Sequence, residues 1–391
     1  MTRTRWLQET RMIRFEEAYE GWQHHQLSQQ EAARLLGVCE RSFRRYVARY
    51  EDGGIEALID RRLEQISHRR APVDEVIGLV KLYRSRYGGW NVRHFHAWYQ
   101  REHQGTRSYS WTKNTLQAQG VVSRAKARGK HRKRRERAAL PGMLVHQDGS
   151  THQWVTGARW DLIVTLDDAT GAHLSMFFVA QEGTLSSLHG LGQTIATYGV
   201  FAALYTDRGS HYFHTPQAGA KVDKTALTQV GRALRQLGIE HIAAYSPEAR
   251  GRSERAFATH QDRVPKELAL AGITEMHAAN VYLSTRYLPA YNAQFAQPAS
   301  APGSAFVPAQ GIDLPEILSE HFERVVGNDN CVNFENKSLQ IPPDTHRAHY
   351  VRAPVQVHRY VDGSLSIWHG QRRLAQYNDQ GIMLISHPTT A

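Results

Sequence analysis

Apolar side chains in the first fifty residues recur at intervals of three and four, which predicts helices. Ser28 followed three positions later by Glu31 is the pattern of a capping box, so a short helix is expected to begin there. Gly37 then permits a turn, and a second helix is predicted over residues 40–50 with Phe43 on its buried side. Two short helices joined by a glycine turn indicate a helix-turn-helix.

A second helical pattern occupies residues 73–122 and is broken by Gly88 and Gly89. We expect three helices here, the third capped by Ser110 and carrying Lys113 near its start. If this unit is another helix-turn-helix, Lys113 faces the DNA groove. The alternative is a plain helical spacer.

The periodicity changes beyond residue 141, where short runs rich in β-branched and apolar residues alternate with helical runs. Their order predicts three strands, a helix, a strand, a helix, a strand and a last helix. Such an order describes a mixed sheet with helices packed on its faces. Beyond residue 320, short alternating segments separated by Asn, Asp, Pro and Gly predict a small β-barrel.

Charge is distributed unevenly along the 391 residues. The first 140 residues hold 29 Lys and Arg against 15 Asp and Glu, a balance of +14, whereas the rest of the chain carries −3. A basic front of this kind suggests contact with a polyanion, with nucleic acid as the first candidate.

The number and spacing of the cysteines and the hydropathy of the chain indicate the cellular compartment in which the protein works. Cys39 and Cys331 lie far apart and neither belongs to a Cys-x-x-Cys pair, which argues against a disulfide scaffold and a thiolate zinc site. Neither the apolar core of a signal peptide nor a run of about 18 apolar residues is found. We therefore expect a cytoplasmic protein, associated with the nucleoid when it is bound to DNA.

Two groups of basic residues are placed to contact DNA. Arginines on the outer face of the second predicted helix would reach phosphates or base edges in a major groove. The run 124–137 holds nine Lys and Arg and one acid, and it is expected to be a disordered linker that can still contact phosphates. The predicted DNA contacts of this basic front are Arg41, Arg44, Arg45, Arg49, Lys113, Lys130, Arg132, Lys133, Arg134 and Arg135.

Three carboxylates occupy related places in the predicted sheet. Asp148 and Asp207 lie where strands end, and Glu254 lies early in the helix after the fifth strand. Because these acids repel one another, a divalent cation is expected among them. Mg²⁺ binds a few carboxylates and keeps positions open for water and phosphate oxygens. Two such ions could activate the attacking oxygen and stabilise the leaving oxygen of a phosphoryl transfer.

Other acids near these three have simpler interpretations. Asp167 and Asp168 are expected to be hairpin-turn residues, because Asp and Gly suit tight turns. Glu248 falls in the loop before the last helix, whereas Gly251, three residues before Glu254, places Glu254 on that helix. Glu254 is therefore preferred as the third carboxylate.

Four short segments carry a resemblance to a known family. They are Gln147-Asp148-Gly149-Ser150, Leu166-Asp167-Asp168-Ala169-Thr170, Tyr205-Thr206-Asp207 and the stretch 246–255, which reads SPEARGRSER. As a set they resemble the integrase-core DDE transposases of bacterial insertion sequences, most of all those of the ISNCY type. The resemblance covers roughly residues 10–380.

The resemblance implies a multidomain α+β protein with N-terminal helix-turn-helix modules, a ribonuclease H-like α/β catalytic core and a C-terminal small β-barrel. It also implies that the protein binds element-end DNA, hydrolyses strands there and uses the freed 3′-hydroxyls to attack target DNA. Two Mg²⁺ or Mn²⁺ ions per site would be held by Asp148, Asp207 and Glu254. Because two ends must be cut and joined together, a homo-oligomer on double-stranded DNA is expected.

Arginines near the three carboxylates extend the predicted DNA contacts into the core. Many integrase-like chains have Asn after the second aspartate, whereas this chain has Arg208, which could contact a phosphate. Further arginines flank Glu254, with a solvated helix face as the alternative interpretation. The predicted DNA contacts of the core are Arg208, Arg250, Arg252 and Arg255.

The expected domains follow these signals in order. They are a helix-turn-helix domain at 1–70, a second helical or helix-turn-helix domain at 71–123, a basic linker at 124–140, a ribonuclease H-like integrase core at 141–296, a linker at 297–319 and a small β-barrel at 320–385. Two other functions stay open at this point. One is a DNA-binding regulator whose core has lost its chemistry, and the other is a simple metal-dependent nuclease.

Overall fold

A computed structural model describes the protein over residues 3–59, 70–124, 136–215, 222–223, 225–245, 251–343 and 346–384. The chain forms two compact units, Met1–Leu82 and Tyr83–Ala391. Within the described ranges, no helix combines the length and the apolar character that crossing a bilayer requires.

The helices are α1 Arg3–Gln23, α2 Gln29–Leu35, α3 Glu40–Gly53, α4 Val73–Arg86, α5 Val92–Glu102, α6 Tyr109–Ala118, α7 Thr184–Tyr198, α8 Gln229–Gln236, α9 Gly251–Leu270, α10 Met276–Tyr282, α11 Leu288–Phe295 and α12 Leu314–Ile317. The strands are β1 Val145–Val155, β2 Ala158–Asp167, β3 His173–Val179, β4 Ala203–Thr206, β5 Glu240–Ala243, β6 Glu320–Val325, β7 Cys331–Phe334, β8 Lys337–Gln340, β9 Pro354–Arg359, β10 Leu365–His369, β11 Arg372–Tyr377 and β12 Met383–Leu384.

The first unit is built on α1, α2 and α3. The predicted capping box is present, because Ser28 Oγ accepts from the Glu31 amide at 3.2 Å and Glu31 Oε2 accepts from the Ser28 amide at 2.8 Å. Gly37 has a φ of +66°, a left-handed conformation that suits glycine, and turns the chain toward α3. Phe43 is fully buried. The helix pair predicted from the sequence is confirmed.

The three helices α4, α5 and α6 confirm the second helical pattern, but the start of α6 differs from the prediction. Its N-cap is Ser108, whose Oγ accepts from the Trp111 amide at 3.3 Å. The assignment of Ser110 as the cap was wrong. Ser108 has the extended backbone of an N-cap, whereas Ser110 already lies in the first helical turn.

A mixed five-stranded sheet lies at the centre of the second unit, in the order β3-β2-β1-β4-β5. β1, β2 and β3 are antiparallel neighbours, and β4 and β5 run parallel to β1. Helices α7 and α8 pack on one apolar cluster around Leu191 and Leu234, and α9 to α11 pack on another around Phe257 and Leu268. The element order predicted from the sequence is confirmed.

Strand β1 is longer than the sequence indicated. Its parallel pairing with β4 covers only Val145 and His146, whereas its antiparallel pairing with β2 continues to Val155. Asp148 therefore lies inside β1, just past the point where β4 stops pairing, and the prediction that it ends a strand was wrong. Trp154 is fully buried near the far end of the strand, and this burial keeps the extended part of β1 attached to the core.

The segment 297–319, expected to be a linker, contacts the body of the second unit. Val307 exchanges two backbone hydrogen bonds with Val200, of 2.7 and 2.8 Å. The Ala305 amide donates to the Pro141 carbonyl at 2.8 Å. Part of the segment is thus fixed to the core by backbone hydrogen bonds.

The C-terminal strands form an open sheet in the order β12-β11-β10-β9-β6, together with the separate hairpin β7-β8. Both contribute to one core that contains Phe334, Leu339, Val357 and Ile367. Among the described strands, β6 and β12 remain edges of the sheet, and β12 has only two residues with which to pair. The strands are confirmed, but the closed barrel predicted from the sequence is not.

Two buried histidines join β3 to α9. His173 Nε2 lies 2.8 Å from His260 Nε2, and His260 Nδ1 lies 2.9 Å from the Tyr287 hydroxyl. Burial lowers the pKa of His173 to about 4 and the pKa of His260 well below its ordinary value. Both imidazoles are therefore neutral in the folded protein at pH 7.

Acidification is expected to destabilise the protein through His173. Its pKa is about 6.5 in the unfolded chain and about 4 in the folded one, so below pH 6.5 the unfolded state binds more protons and the free energy of unfolding falls. Between pH 8 and pH 5 the loss is about 2 kcal/mol for this histidine. Urea unfolding followed by tryptophan fluorescence across this range measures it. His173→Gln should remove that part of the pH dependence, and an unchanged dependence would contradict the prediction.

Candidate active site

The strand register brings two of the three predicted carboxylates to the same level of the sheet. In the parallel pairing of β1 with β4, His146 is opposite Tyr205. Asp148 and Asp207 each lie two residues further along their chains, so they leave the paired region side by side. Both are half-buried.

Each aspartate is held by the backbone that follows it. Asp148 Oδ1 accepts from the Gly149 amide at 3.1 Å, and Asp207 Oδ1 accepts from the Gly209 amide at 2.8 Å. The second contact folds the chain sharply after β4, as short Asp-x-Gly turns do. The carboxylates are thereby fixed in orientation at this edge of β1 and β4.

Tyr212 is a buried residue near the two aspartates. Its ring is buried, and its hydroxyl donates to Gln147 Oε1 at 2.9 Å and accepts from Ser187 Oγ at 3.2 Å. Burial raises the pKa of Tyr212 well above its ordinary value, and the negative charges of Glu182, Asp148 and Asp207 raise it further. The hydroxyl therefore stays protonated beside three carboxylates.

Glu182 and His211 belong to this site although the sequence did not indicate them. Gly149 is approached so closely that a Cβ there would lie 2.1 Å from Glu182 Oε2. Glu182 Oε1 lies 3.6 Å from His211 Nε2, and the His211 ring rests on Gly209. The only signal in the sequence was a glycine shortly after each aspartate, Gly149 and Gly209. A glycine indicates that another group packs closely against the backbone, but it does not identify that group.

Glu254 lies in the first turn of α9 and is exposed. Helix α9 runs along β1, where Gln261 Nε2 donates to Ser150 Oγ at 3.0 Å. Because Glu254 precedes Gln261 by seven residues, about two turns, both lie on the same side of the helix. The start of α9 thus belongs to the edge of the sheet that carries Asp148.

The donor atoms fit a hard divalent cation, since all three predicted ligands are carboxylates. In the described parts of the chain, however, no group of three His, Cys, Asp or Glu side chains is gathered closely enough to hold a metal ion. The structure therefore brings Asp148 and Asp207 together and leaves Glu254 outside a three-ligand cluster. Glu248, its competitor, lies outside the described residues.

Asp167 ends β2 and Asp168 begins the turn that follows it, so both lie at the predicted turn. Asp167 Oδ2 accepts from the amide and the hydroxyl of Thr170, at 2.8 and 2.7 Å, and its Oδ1 accepts from the Gly142 amide at 2.9 Å. Asp168 is fully buried and has charged and polar partners of its own, described below.

The predicted DNA contacts fall into four groups. Arg41, Arg44, Arg45 and Arg49 are exposed on α3, and Arg49 donates to the Ala57 carbonyl. Lys113 is half-buried on α6. Of the core arginines, Arg255 is exposed, exposed Arg208 lies over the Tyr245 ring at 5.3 Å, and Arg252 pairs with Asp168. The remaining residues lie outside the described parts of the chain; they are Lys130, Arg132, Lys133, Arg134, Arg135 and Arg250.

Comparison with known proteins gives matches in the first unit and along most of the chain. Residues 17–72 match the sequence model of the winged helix-turn helix family. The y4bF protein of Sinorhizobium fredii, which is named as a transposase, is 31% identical over 355 residues, covering 87% of this chain and 75% of y4bF. The transposase for insertion sequence IS1202 of Streptococcus pneumoniae is 31% identical over 204 residues, covering 52% of this chain and 43% of that protein.

Solved structures with low similarity come from viral integrases. The catalytic core domain of HTLV-2 integrase in complex with magnesium is 17% identical with a TM-score of 0.29, and the match covers 38% of this chain and 88% of that one. A simian T-cell lymphotropic virus intasome in complex with a PP2A regulatory subunit is 13% identical with a TM-score of 0.33, over 80% of this chain and 100% of that one.

Proposed function

This chain belongs to the family of bacterial insertion-sequence transposases, and on that premise we propose that it binds the ends of an insertion element, cuts DNA strands there and joins the freed ends to target DNA. The observation that carries the proposal is the parallel register of β1 and β4, which sets Asp148 beside Asp207. The sheet order and the helices on both faces support a ribonuclease H-like core. The C-terminal strands are proposed to form a barrel-like domain.

The chemistry is a phosphoryl transfer in two steps. Water adds across a P–O bond at the element end, which leaves a 3′-hydroxyl and a 5′-phosphate. That hydroxyl then attacks a target phosphodiester, and the displaced target 3′-oxygen takes up a proton. Both steps need an attacking oxygen that loses a proton and a leaving oxygen whose charge is stabilised.

Asp148, Asp207 and Glu254 are the proposed ligands of two Mg²⁺ or Mn²⁺ ions, which when bound would activate the attacking oxygen and stabilise the leaving one. The residues of the chain supply the orientation. The amides of Gly149 and Gly209 hold the two aspartates, and the buried Tyr212 near them adds no charge. Glu254 is the proposed third ligand and is contributed by the first turn of α9.

DNA binding is proposed to use both units of the chain. The first unit has the helix-turn-helix and exposes arginines on α3, which suits major-groove contact. In the second unit, Arg208 and Arg255 are exposed beside the carboxylates and could hold phosphates there, with Arg250 a predicted contact of the adjoining loop. Lys113, the basic residues of 124–137 and Arg252 remain predicted contacts. Because two ends must be joined, the working form is proposed to be a homo-oligomer.

One assay separates this function from its two alternatives. The purified protein is incubated with labelled element-end DNA, unlabelled target DNA and Mg²⁺. Joined products are expected for a transposase. Nicked ends without joining would favour a metal-dependent nuclease, and binding without nicks would favour a regulator.

The charge on α3 should set the salt dependence of DNA binding. Replacing Arg41, Arg44 and Arg45 by Gln removes three exposed cations, and the slope of log affinity against log salt becomes shallower by about 0.9 for every phosphate that is no longer neutralised. We therefore expect a slope smaller by about 2 to 3, measured by fluorescence anisotropy at salt concentrations between roughly 50 and 200 mM. Arg235→Gln, an exposed arginine on α8, is the control and should leave the slope unchanged. An unaltered slope in the triple variant would place the phosphate contacts elsewhere.

A further inference from the structure

We propose that Asp168 is a positioning residue that fixes the start of α9, and with it Glu254, against β1. The inference rests on the function proposed above, because it assigns Asp168 to the assembly of the same site. Asp168 follows β2 in the turn that the sequence assigned to a simple hairpin role. Its side chain is fully buried, and the partners of its two carboxylate oxygens come from other parts of the second unit.

One oxygen of Asp168 joins the two elements that carry the proposed ligands. Asp168 Oδ1 lies 2.9 Å from His146 Nε2 on β1 and also accepts from Arg252 Nη1 on α9. His146 is two residues before Asp148, and Arg252 is two residues before Glu254. The Asp168 carboxylate therefore connects β1 to α9 at points two residues from Asp148 and Glu254, the proposed metal ligands.

The position of Arg252 explains why it needs this partner. It lies in the first turn of α9, where the helix dipole disfavours a positive charge. Its side chain is one quarter exposed, so water screens the charge only in part. The buried carboxylate compensates both effects, and Arg252 Nη2 adds a bond to the Glu136 carbonyl at 3.0 Å. The guanidinium is thus held at a fixed place and orients the first turn.

The same turn also holds the chain that enters the core. Asp168 Oδ2 accepts from the Ala138 amide at 2.8 Å, and Arg137 Nη1 donates to the carbonyls of Asp168 and Ala169 at 3.2 and 3.1 Å. Residues 136–138 lie at the end of the basic run and just after it. Asp168 therefore holds three separate segments, which exceeds what a hairpin turn requires.

The proposal gives Arg252 a role different from a DNA contact, and the two roles have different outcomes. A positioning Arg252 acts through Asp168, so Asp168→Asn, Arg252→Gln and the double variant should lose activity to the same extent, about 10- to 100-fold in the rate of strand cleavage. Affinity for element-end DNA should stay within about twofold. Arg252→Lys keeps the charge and should recover most of the rate. A DNA-contacting Arg252 would instead weaken binding, lower the salt slope by about 1, and add its effect to that of Asp168→Asn.

Hydrogen exchange of the α9 amides tests the proposal without using activity. In Asp168→Asn and Arg252→Gln, the amides of the second turn of α9, which donate to the carbonyls of the first turn, should exchange at least about tenfold faster, while those near Leu268 keep their protection. Unchanged exchange in the second turn of α9, or additive losses of activity, would overturn the proposal. If Asp168→Asn does not fold, the Arg252→Gln and Arg252→Lys pair decides by the same measurements. If the wild type neither cuts nor joins DNA, the proposed function is wrong. Hydrogen exchange still tests whether Asp168 fixes the start of α9, because that measurement does not depend on activity.

Discussion

Asp148→Asn is expected to abolish DNA cleavage and joining while leaving the binding of element-end DNA intact. The substitution keeps the size of the side chain and its contact with the Gly149 amide, but it removes the negative charge that a divalent cation requires. We expect a loss of at least about 10³-fold in rate, which corresponds to about 4 kcal/mol of transition-state stabilisation. Labelled ends incubated with Mg²⁺ or Mn²⁺ measure cleavage, and a gel-shift assay measures binding.

Two further variants sharpen this result. Asp207→Asn should behave like Asp148→Asn, because the register makes the two carboxylates neighbours. Asp362→Asn is the matched control, since Asp362 is an exposed turn residue of the C-terminal sheet that accepts from the Ser364 amide, and it should retain activity within about twofold. Cleavage by Asp148→Asn at the wild-type rate would show that the proposed site is wrong. Failure of the same variant to bind DNA would show a structural defect.

Trp154→Ala is expected to destabilise the second unit by about 3 to 5 kcal/mol, the usual cost of removing a buried Trp side chain. The indole of Trp154 contacts the Phe178 ring, and its Nε1 donates to the Trp160 carbonyl at 2.9 Å. Its removal leaves a cavity between β1 and the helices that cover it. Chemical denaturation measures the change. Tyr198→Ala, at a side chain with 43% exposure, should cost less than about 1 kcal/mol.

Trp154→Ala and Tyr198→Ala also test whether Trp154 acts on the site only through stability. Because Trp154 holds the far part of β1, the strand that carries Asp148, its removal should lower activity only as far as it unfolds the protein. Activity that falls with full retention of stability would contradict this assignment. Equal destabilisation by Tyr198→Ala would indicate that the core of the second unit is organised differently.

The elements were predictable from the sequence because their signals are local. Periodicity and caps indicated the helix pair around Gly37, and apolar runs indicated the strands and helices of the core in their order along the chain. The order of the strands within the sheet was not predicted. The place of Asp207 just after β4 followed from the same signals. The place of Asp148 did not, because the length of β1 depends on how far β2 pairs with it and on the burial of Trp154.

The partners within the site were not predictable, because they come from distant parts of the chain. Glu182 lies in a loop and meets Gly149 only when the sheet and α7 are packed. Asp168 has the sequence pattern of a turn residue, and its bonds to His146 and Arg252 require the folded core. The sequence pattern does not show which distant residues come into contact in the fold. The register of the paired strands determines many of these contacts.

The pairing of β1 with β4 also determines when the site can exist during synthesis of the chain. β1 and β2 are joined by a two-residue turn at Thr156 and Gly157 and can pair within microseconds, whereas β4 must first be made and then close a long loop. The first unit is complete at Leu82, and α9 only at Leu270. At about 5 to 20 residues per second this interval lasts roughly 10 to 40 s. The helix-turn-helix unit is therefore made well before Asp148, Asp207 and Glu254, the proposed metal ligands, are all in place.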